Sequence, residues 1–211
     1  MSKCTSCGLY GCFEKDGEKM PEGCPGLGQI VGDALKEYSG DVAKIAKVSA
    51  EVEYDGYMKW TRVEELMEFC RRMGWSKVGI ASCMGLRRES IILTRVLESN
   101  GFDVRGVFCK VGGIPKEAVG VSREKMLRRE GDAMCNPVSQ AMLLNGEGTD
   151  VNVIMGLCVG HDMLFTKFSH QPVTTLVVKD RVLCHNTVGA LYGADGMYYK
   201  RLYGQAKKAK P

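Results

Sequence analysis

Ten cysteines in 211 residues are the chemistry-bearing feature of this sequence. Three of them close apolar runs: KVGIASC ends on Cys83, FDVRGVFC on Cys109 and VNVIMGLC on Cys158. A fourth, Cys135, stands directly before Asn136-Pro137, a pair suited to cap and open a helix. In an open parallel sheet the ligand crevice lies outside the carboxyl ends of the strands, where strand order reverses. Cys83, Cys109, Cys135 and Cys158 are therefore expected to line one cofactor site. A thiol at a helix start meets unpaired N–H groups and the helix dipole, which favour the thiolate, the form that binds soft metals and attacks electrophiles. If three thiols bind an iron–sulfur cluster, the open iron is a Lewis acid for a substrate; if four bind, electron transfer is the natural role. The sequence leaves both open. His161 and Asp162, in GLCVGHD, follow Cys158 closely enough to reach the same crevice as ligand, acid or base. Cys83, Cys158, His161 and Asp162 thus form the candidate catalytic set.

The second thiol group is local. Cys4, Cys7, Cys12 and Cys24 lie in a glycine- and proline-rich opening with the spacing C-x2-C-x4-C-x11-C-P. The apolar content of residues 1–28 is little more than Leu9, Tyr10, Phe13 and Met20, too little for a core, so a bound metal is expected to order it. A zinc ribbon shows two C-x2-C knuckles and this stretch has one, while a proline after the last thiol is a feature of iron–sulfur sequences. A cluster such as [4Fe–4S] is the expected cofactor, with zinc as the alternative.

Around these thiols the chain alternates strand and helix. Residues 29–57 have a helical pattern broken at Tyr38-Ser39-Gly40 and read as amphipathic covering helices. Thr61 and Glu64 form a capping box ahead of an apolar stripe that includes Cys70, read as a small buried hydrophobe, and Gly74 stops that helix. Strands are expected at Lys77–Cys83, Phe102–Cys109, Val151–Cys158 and Val173–Val178. Helices are expected near 86–99, from Pro137 to about Leu144, over His161–Phe168 and after Asn186. Between Cys109 and Cys135 a glycine turn and a charged helix are expected to cover the crevice. Cys184-His185 is placed near the end of a further β segment, and Lys110, Lys167 and Lys179 could supply positive charge to an anionic substrate, though each reads first as a solvated lysine. The pattern predicts a three-layer, Rossmann-like α/β domain of about four mainly parallel strands over 29–211, preceded by the cysteine module 1–28.

Composition narrows the function classes. With 45% hydrophobic and 26% charged residues the chain reads as an ordinary globular protein. No run reaches the roughly 18 apolar residues of a membrane span. The net charge of +4 is mild and only the tail from Lys200 is locally basic, which argues against a nucleic-acid partner. Without an apolar leader core, a cytoplasmic location is expected, where thiols stay reduced and serve metal or redox chemistry rather than disulfides. Walker, G-x-G-x-x-G, G-x-S-x-G and H-E-x-x-H motifs are absent, which disfavours the common nucleotide and hydrolase templates.

The opening Cys4/Cys7/Cys12/Cys24 module, GIASC, FCKVG, MCNP, TDVNVIMGLCVGHD and VKDRVLCHN together resemble a cysteine-rich microbial family catalogued as domain of unknown function 1847 and described as metal-binding. The resemblance implies a metal-binding role for the N-terminal cysteines and supplies no reaction. Two functions follow from the residues. One is an iron–sulfur protein doing redox or sulfur-transfer chemistry on a small molecule, or with a redox partner protein. The other is a non-enzymatic, zinc-stabilised protein that binds a small ligand or a metal.

Overall fold

The computed structural model describes residues 4–128 and 131–204. Two residues of the expected cover, 129–130, and the end of the basic tail, 205–211, lie outside the described residues. The chain divides into two compact units, Met1–Trp60 and Thr61–Pro211.

In the first unit the cysteine-rich opening is built from single turns: 3-10 turns at Cys4–Ser6, Gly17–Lys19 and Pro25–Leu27, and a one-turn helix α1 (Gly11–Glu14). Of the described residues among the first 28, Gly11 alone is buried, so no apolar core holds these turns. Tyr10 and Lys15, flanking α1, both adopt left-handed backbone, at φ 51° and 58°, which non-glycine residues hold only when their surroundings impose it. Helices α2 (Gln29–Lys36) and α3 (Gly40–Gly56) follow the helical pattern with the break where it was expected. Helix α3 buries Val48 and Val52, whereas Ile30, Val31 and Leu35 of α2 remain exposed.

The second unit is a four-stranded, all-parallel sheet in the order β2-β1-β3-β4 between two helical layers. Its first helix, α4 (Arg62–Met73), opens on the expected capping box, with the Thr61 N–H donating to Glu64 at 2.7 Å, and closes on Gly74 at φ 77°. Strand β1 (Lys77–Ser82) is apolar on both faces because both are covered. Val78 and Ile80 face Leu66 and Met67 of α4 and Leu93 and Leu97 of α5 (Arg87–Ser99). Ala81 faces the other way, into a cluster with Ala141 and Leu144 of α6 (Pro137–Glu147) and Phe165 of α7 (His161–Phe168). A side chain on Gly79 would collide with the buried Asn152 amide, 2.0 Å from where its Cβ would sit, so glycine is what lets β1 close against its neighbour. Strands β2 (Asp103–Phe108), β3 (Val151–Met155) and β4 (Val173–Val177) complete the three-layer, Rossmann-like fold expected from the alternation. Strands β2 and β3 flank β1 on opposite sides, so strand order reverses between β1 and β3.

Three local expectations are corrected. The charged helix between Cys109 and Cys135 is instead a pair of 3-10 turns, Lys116–Val119 and Arg123–Lys125. Pro115 and the left-handed Gly120 bound the first, leaving too few residues for a longer helix. Helix α6 continues past Leu144 to Glu147 because Asn145 spends its side chain on the Phe168 carbonyl and the His170 N–H and does not break the helix, which ends at the left-handed Gly148. Cys184 and His185 do not end a strand. Both are turn residues with φ of 51° and 68°, and short helices α8 (Val188–Tyr192) and α9 (Tyr199–Leu202) follow.

Candidate functional site: two sets of thiols

Each strand of the sheet delivers a reactive side chain just past its carboxyl end. Register fixes the first two: Ser82 of β1 pairs with Phe108 of β2, so Cys83 and Cys109 leave the sheet side by side. Backbone bonds continue past the strands and hold them there, with the Cys109 N–H donating to the Ser82 carbonyl at 2.8 Å and the Cys83 N–H to Met155 at 3.0 Å. Cys135 comes from the other direction, carried on the loop into α6. The Asn136 N–H donates to the Cys109 carbonyl at 2.8 Å, and the Asn136 side chain caps α6 by accepting from Ser139 at 3.1 Å. Beyond β3 the backbone turns at Gly156, φ 64°, where a Cβ would strike Leu86 at 2.0 Å, and places Cys158 at the mouth of α7.

The thiols then interact. Cys83 and Cys109 pack in one cluster with Cys135 against it, so that Cys109 titrates against both of its neighbours. Two backbone donors from the turn after β1 also reach sulfur: Met84 N–H to Cys109 Sγ at 3.3 Å and Gly85 N–H to Cys83 Sγ at 3.4 Å. Donation from Cys109, helped by Gly85 and Lys179, brings Cys83 down to about 4 against the opposing effect of burial. Cys135 is brought down to about 5 by Cys109 first, then by Lys110, with the His161 side chain adding to it. The shared proton stays on Cys109, which its two neighbours push strongly upward. Cys158 is bound by a cation instead, the Arg181 guanidinium donating to its Sγ at 3.0 Å, and that contact raises Arg181 above its ordinary value.

The expected cofactor set Cys83, Cys109, Cys135 and Cys158 is thus gathered at one edge of the sheet, and His161 reaches it. Asp162 belongs to the same turn, but its carboxylate accepts the Met163 N–H at 2.8 Å at the start of α7. Sequence reasoning weighed the lysines as charges for an anionic substrate and ranked each as solvated. Lys110 and Lys179 are half-buried and act on the Cys135 and Cys83 thiols, whereas Lys167 is exposed. Arg181 was not singled out at all. The signal was present in VKDR, which directly follows the last strand and so had to lie at the same edge as the thiols. Gln140 was also missed. Fully buried in α6, it donates to the carbonyls of Ser82 at 3.2 Å and Val107 at 2.7 Å, tying the ends of β1 and β2 together, while its own Oε1 is left without a partner. Cys70 behaves as expected of a small hydrophobe: it is fully buried and pushed up to about 12, chiefly by that burial.

The N-terminal set is arranged differently. Cys4, Cys7, Cys12 and Cys24 line one cavity of about 600 Å³ together with Met20 and Pro25. Cys4 and Cys12 are exposed and Cys7 and Cys24 half-exposed. The Leu9 N–H, and after it the Tyr10 N–H, hold the Cys7 thiol below the ordinary thiol range. Among the described residues no three His, Cys, Asp or Glu side chains stand as the ligands of a single metal ion.

A three-layer parallel α/β unit with four thiols and three cations at its strand ends, carried on one chain with a cysteine-ringed unit, defines a cysteine-rich α/β protein. The chain belongs to the family described as Protein of unknown function (DUF1847), whose model matches residues 25–176. An uncharacterized protein of Methanocaldococcus jannaschii is 47% identical over 192 residues, 90% of this chain and 93% of the relative. No solved structure matches. The family match takes in Cys83, Cys109, Cys135 and Cys158 and begins one residue after Cys24. The opening module and VKDRVLCHN, both part of the resemblance read from sequence, lie outside the matched span. Among the described residues no helix is long and apolar enough to cross a membrane.

Proposed function

We propose that this protein is an iron–sulfur protein in which the N-terminal thiols hold a cluster and the strand-end thiols carry out redox or sulfur-transfer chemistry on a small molecule. The observation that carries the reading is the packing of Cys83, Cys109 and Cys135 into one cluster, brought together from three separate chain segments at the edge where strand order reverses. Two thiolates flanking one protonated thiol supply a nucleophile, a proton and a second sulfur in the same place. Lys179 and the Gly85 N–H orient and hold the Cys83 thiolate, and Lys110 does the same for Cys135.

For the N-terminal set the fit favours a cluster over a lone ion. A zinc ion bound at about 2.3 Å from each sulfur draws its ligands to a point, whereas these four thiols ring a cavity of about 600 Å³. Backbone N–H groups on the Cys7 sulfur are of the kind that tune cluster ligands. When bound, a cluster there supplies electrons one at a time and orders turns that no core supports. For the second set the reading is of working thiols, packed in one cluster and tuned against one another.

Anaerobic purification of the full chain, followed by visible spectroscopy and analysis for iron, acid-labile sulfide and zinc, tests the reading. Iron and sulfide that vanish on Cys7→Ser or Cys12→Ser but persist in Cys83→Ser support it. A colourless protein holding stoichiometric zinc overturns the cluster, and iron lost on Cys83→Ser overturns the division of labour between the two sets.

A further inference from the structure

The cations at the strand-end thiols go beyond a general thiol chemistry. Lys179 reaches Cys83: its Nζ lies 3.4 Å from where a Cβ on Gly85 would stand, and that same point is 3.7 Å from Cys83 Sγ. Lys110 stands at Cys135 and donates to the Ala133 carbonyl, and Arg181 is on Cys158. Among the described residues none of the three forms an ion pair with a carboxylate. The nearest candidates are spent elsewhere. Asp180, between Lys179 and Arg181, accepts the Val182 and Leu183 N–H groups at 2.9 and 2.8 Å, and Asp162 accepts Met163. Three cations and the Met84 and Gly85 N–H donors therefore converge on soft nucleophiles with no acid offsetting them.

Building on the thiol chemistry above, we propose that the substrate at this edge is a small anion bearing a transferable sulfane sulfur, of the thiosulfate or thiosulfonate class, and that Cys83 takes up that sulfur as a persulfide. The Cys83 thiolate attacks the outer sulfur. A new S–S bond forms to Cys83 as the S–S bond of the donor breaks, and the electron pair leaves with sulfite or sulfinate. Charge and atoms balance with no proton consumed, and the leaving group departs as an anion that Lys110, Lys179 and Arg181 can hold. No carboxylic acid is required, and none is free. The persulfide then passes its outer sulfur to a low-molecular-weight thiol, which becomes the new persulfide while Cys83 departs as thiolate. A thiolate already stabilised by Lys179 and an N–H donor is a good leaving group, which favours handing the sulfur on.

The test uses the full chain, reduced and kept anaerobic, with thiosulfate as the anionic donor and a neutral organic trisulfide as the control. Intact mass and peptide mapping after alkylation are expected to show one added sulfur on Cys83 from thiosulfate; from the trisulfide, RSSSR, they are expected to show a Cys83–S–S–R adduct, formed as an S–S bond of the trisulfide breaks and RSS⁻ leaves. Arg181→Gln, at an exposed position, is expected to slow loading from thiosulfate roughly tenfold or more while leaving loading from the trisulfide within about twofold. Loading by trisulfide alone overturns the anionic substrate class and leaves the thiol reading standing. Loading by neither overturns both, and loading of Cys83→Ser as fast as the native chain overturns the assignment of the nucleophile.

Discussion

The two sets contain four cysteines each, and they are held by opposite means. Cys4, Cys7, Cys12 and Cys24 come from one short stretch in which a single residue is buried, on single turns with two strained residues. Cys83, Cys109, Cys135 and Cys158 come from segments spread over 76 positions, with Cys83 and Cys109 tied by backbone bonds to a sheet that exists without them and Cys135 attached through the bond of its neighbour Asn136 to the Cys109 carbonyl. The first set is a site waiting for something to define it, because ligand binding and local folding are one process there. The second is preorganised: its geometry is a by-product of strand register, so its thiols can be tuned against one another without a ligand. On the proposed reading, the same residue type serves as a structural ligand in one unit and as a working group in the other.

The comparison breaks most readily on metal removal. Chelation under reducing conditions is expected to expose residues 4–28 to protease, with cleavage faster by orders of magnitude, since structural metal binding of this kind is worth about 10 kcal/mol or more. The fragment from Thr61 onward should keep its circular dichroism and its melting transition. Equal loss of both units would show that the second set needs a metal as much as the first.

Next in size is the pH profile of the thiols. A model thiol titrates near pH 8.5 and loses alkylation rate about tenfold per unit below it. Cys83 and Cys135, at about 4 and about 5, should alkylate at a nearly constant rate from pH 8 down to pH 6, while buried Cys70, pushed up to about 12, stays inert. The sign for stability follows. The two depressed thiols favour the native state fully above the unfolded thiol value of about 8.5, and this contribution fades as pH falls towards their folded values. Cys70 and Cys109, both raised, act the other way above it. Thermal melting of the second unit should therefore improve from about pH 5 to about pH 8 and decline beyond, a shape that Cys83→Ser flattens.

How much of this could be read from the chain differs between the same two regions. The sheet was legible because Lys77–Ser82 and Val151–Met155 are covered on both faces and so are apolar at all but Lys77, Ser82 and Asn152, and because the Thr61–Glu64 box and Gly74 mark α4 at both ends. From four parallel strands the gathering of Cys83, Cys109 and Cys158 followed directly. What escaped was what depends on turns rather than periodicity. Arg181 reaches Cys158 only because Asp180 folds the 180–185 turn onto its own N–H groups, and nothing in residue spacing announces that. Gln140 escaped for a related reason: an amide in an apolar helix face gives no sign of which strand carbonyls it will meet. The segment 110–134 misled because its charge pattern suits a helix while Pro115 and Gly120 cut it into turns.

Smaller effects sharpen how far the second set depends on its supports. Gln140→Leu keeps volume and removes both bonds to the ends of β1 and β2; the Ser82 carbonyl retains the Cys109 N–H, so the loss falls mainly on Val107. About 2 kcal/mol of unfolding free energy should be lost by denaturant titration, while the flat alkylation profile of Cys83 persists, because register and the Cys109 N–H still hold Cys109 beside it. Asn136→Ala should cost less, about 1 kcal/mol, the usual value of a helix cap. Its more telling consequence is chemical. The cap of α6 also anchors Cys135, and the Asn136 N–H to the Cys109 carbonyl is a backbone bond that the substitution keeps. Cys135 should therefore drift back towards ordinary thiol behaviour while Cys83 does not. If both thiols change together in Asn136→Ala, the cluster is a single unit centred on Cys109; if only Cys135 changes, its two halves are set separately, one by strand register and one by the start of α6.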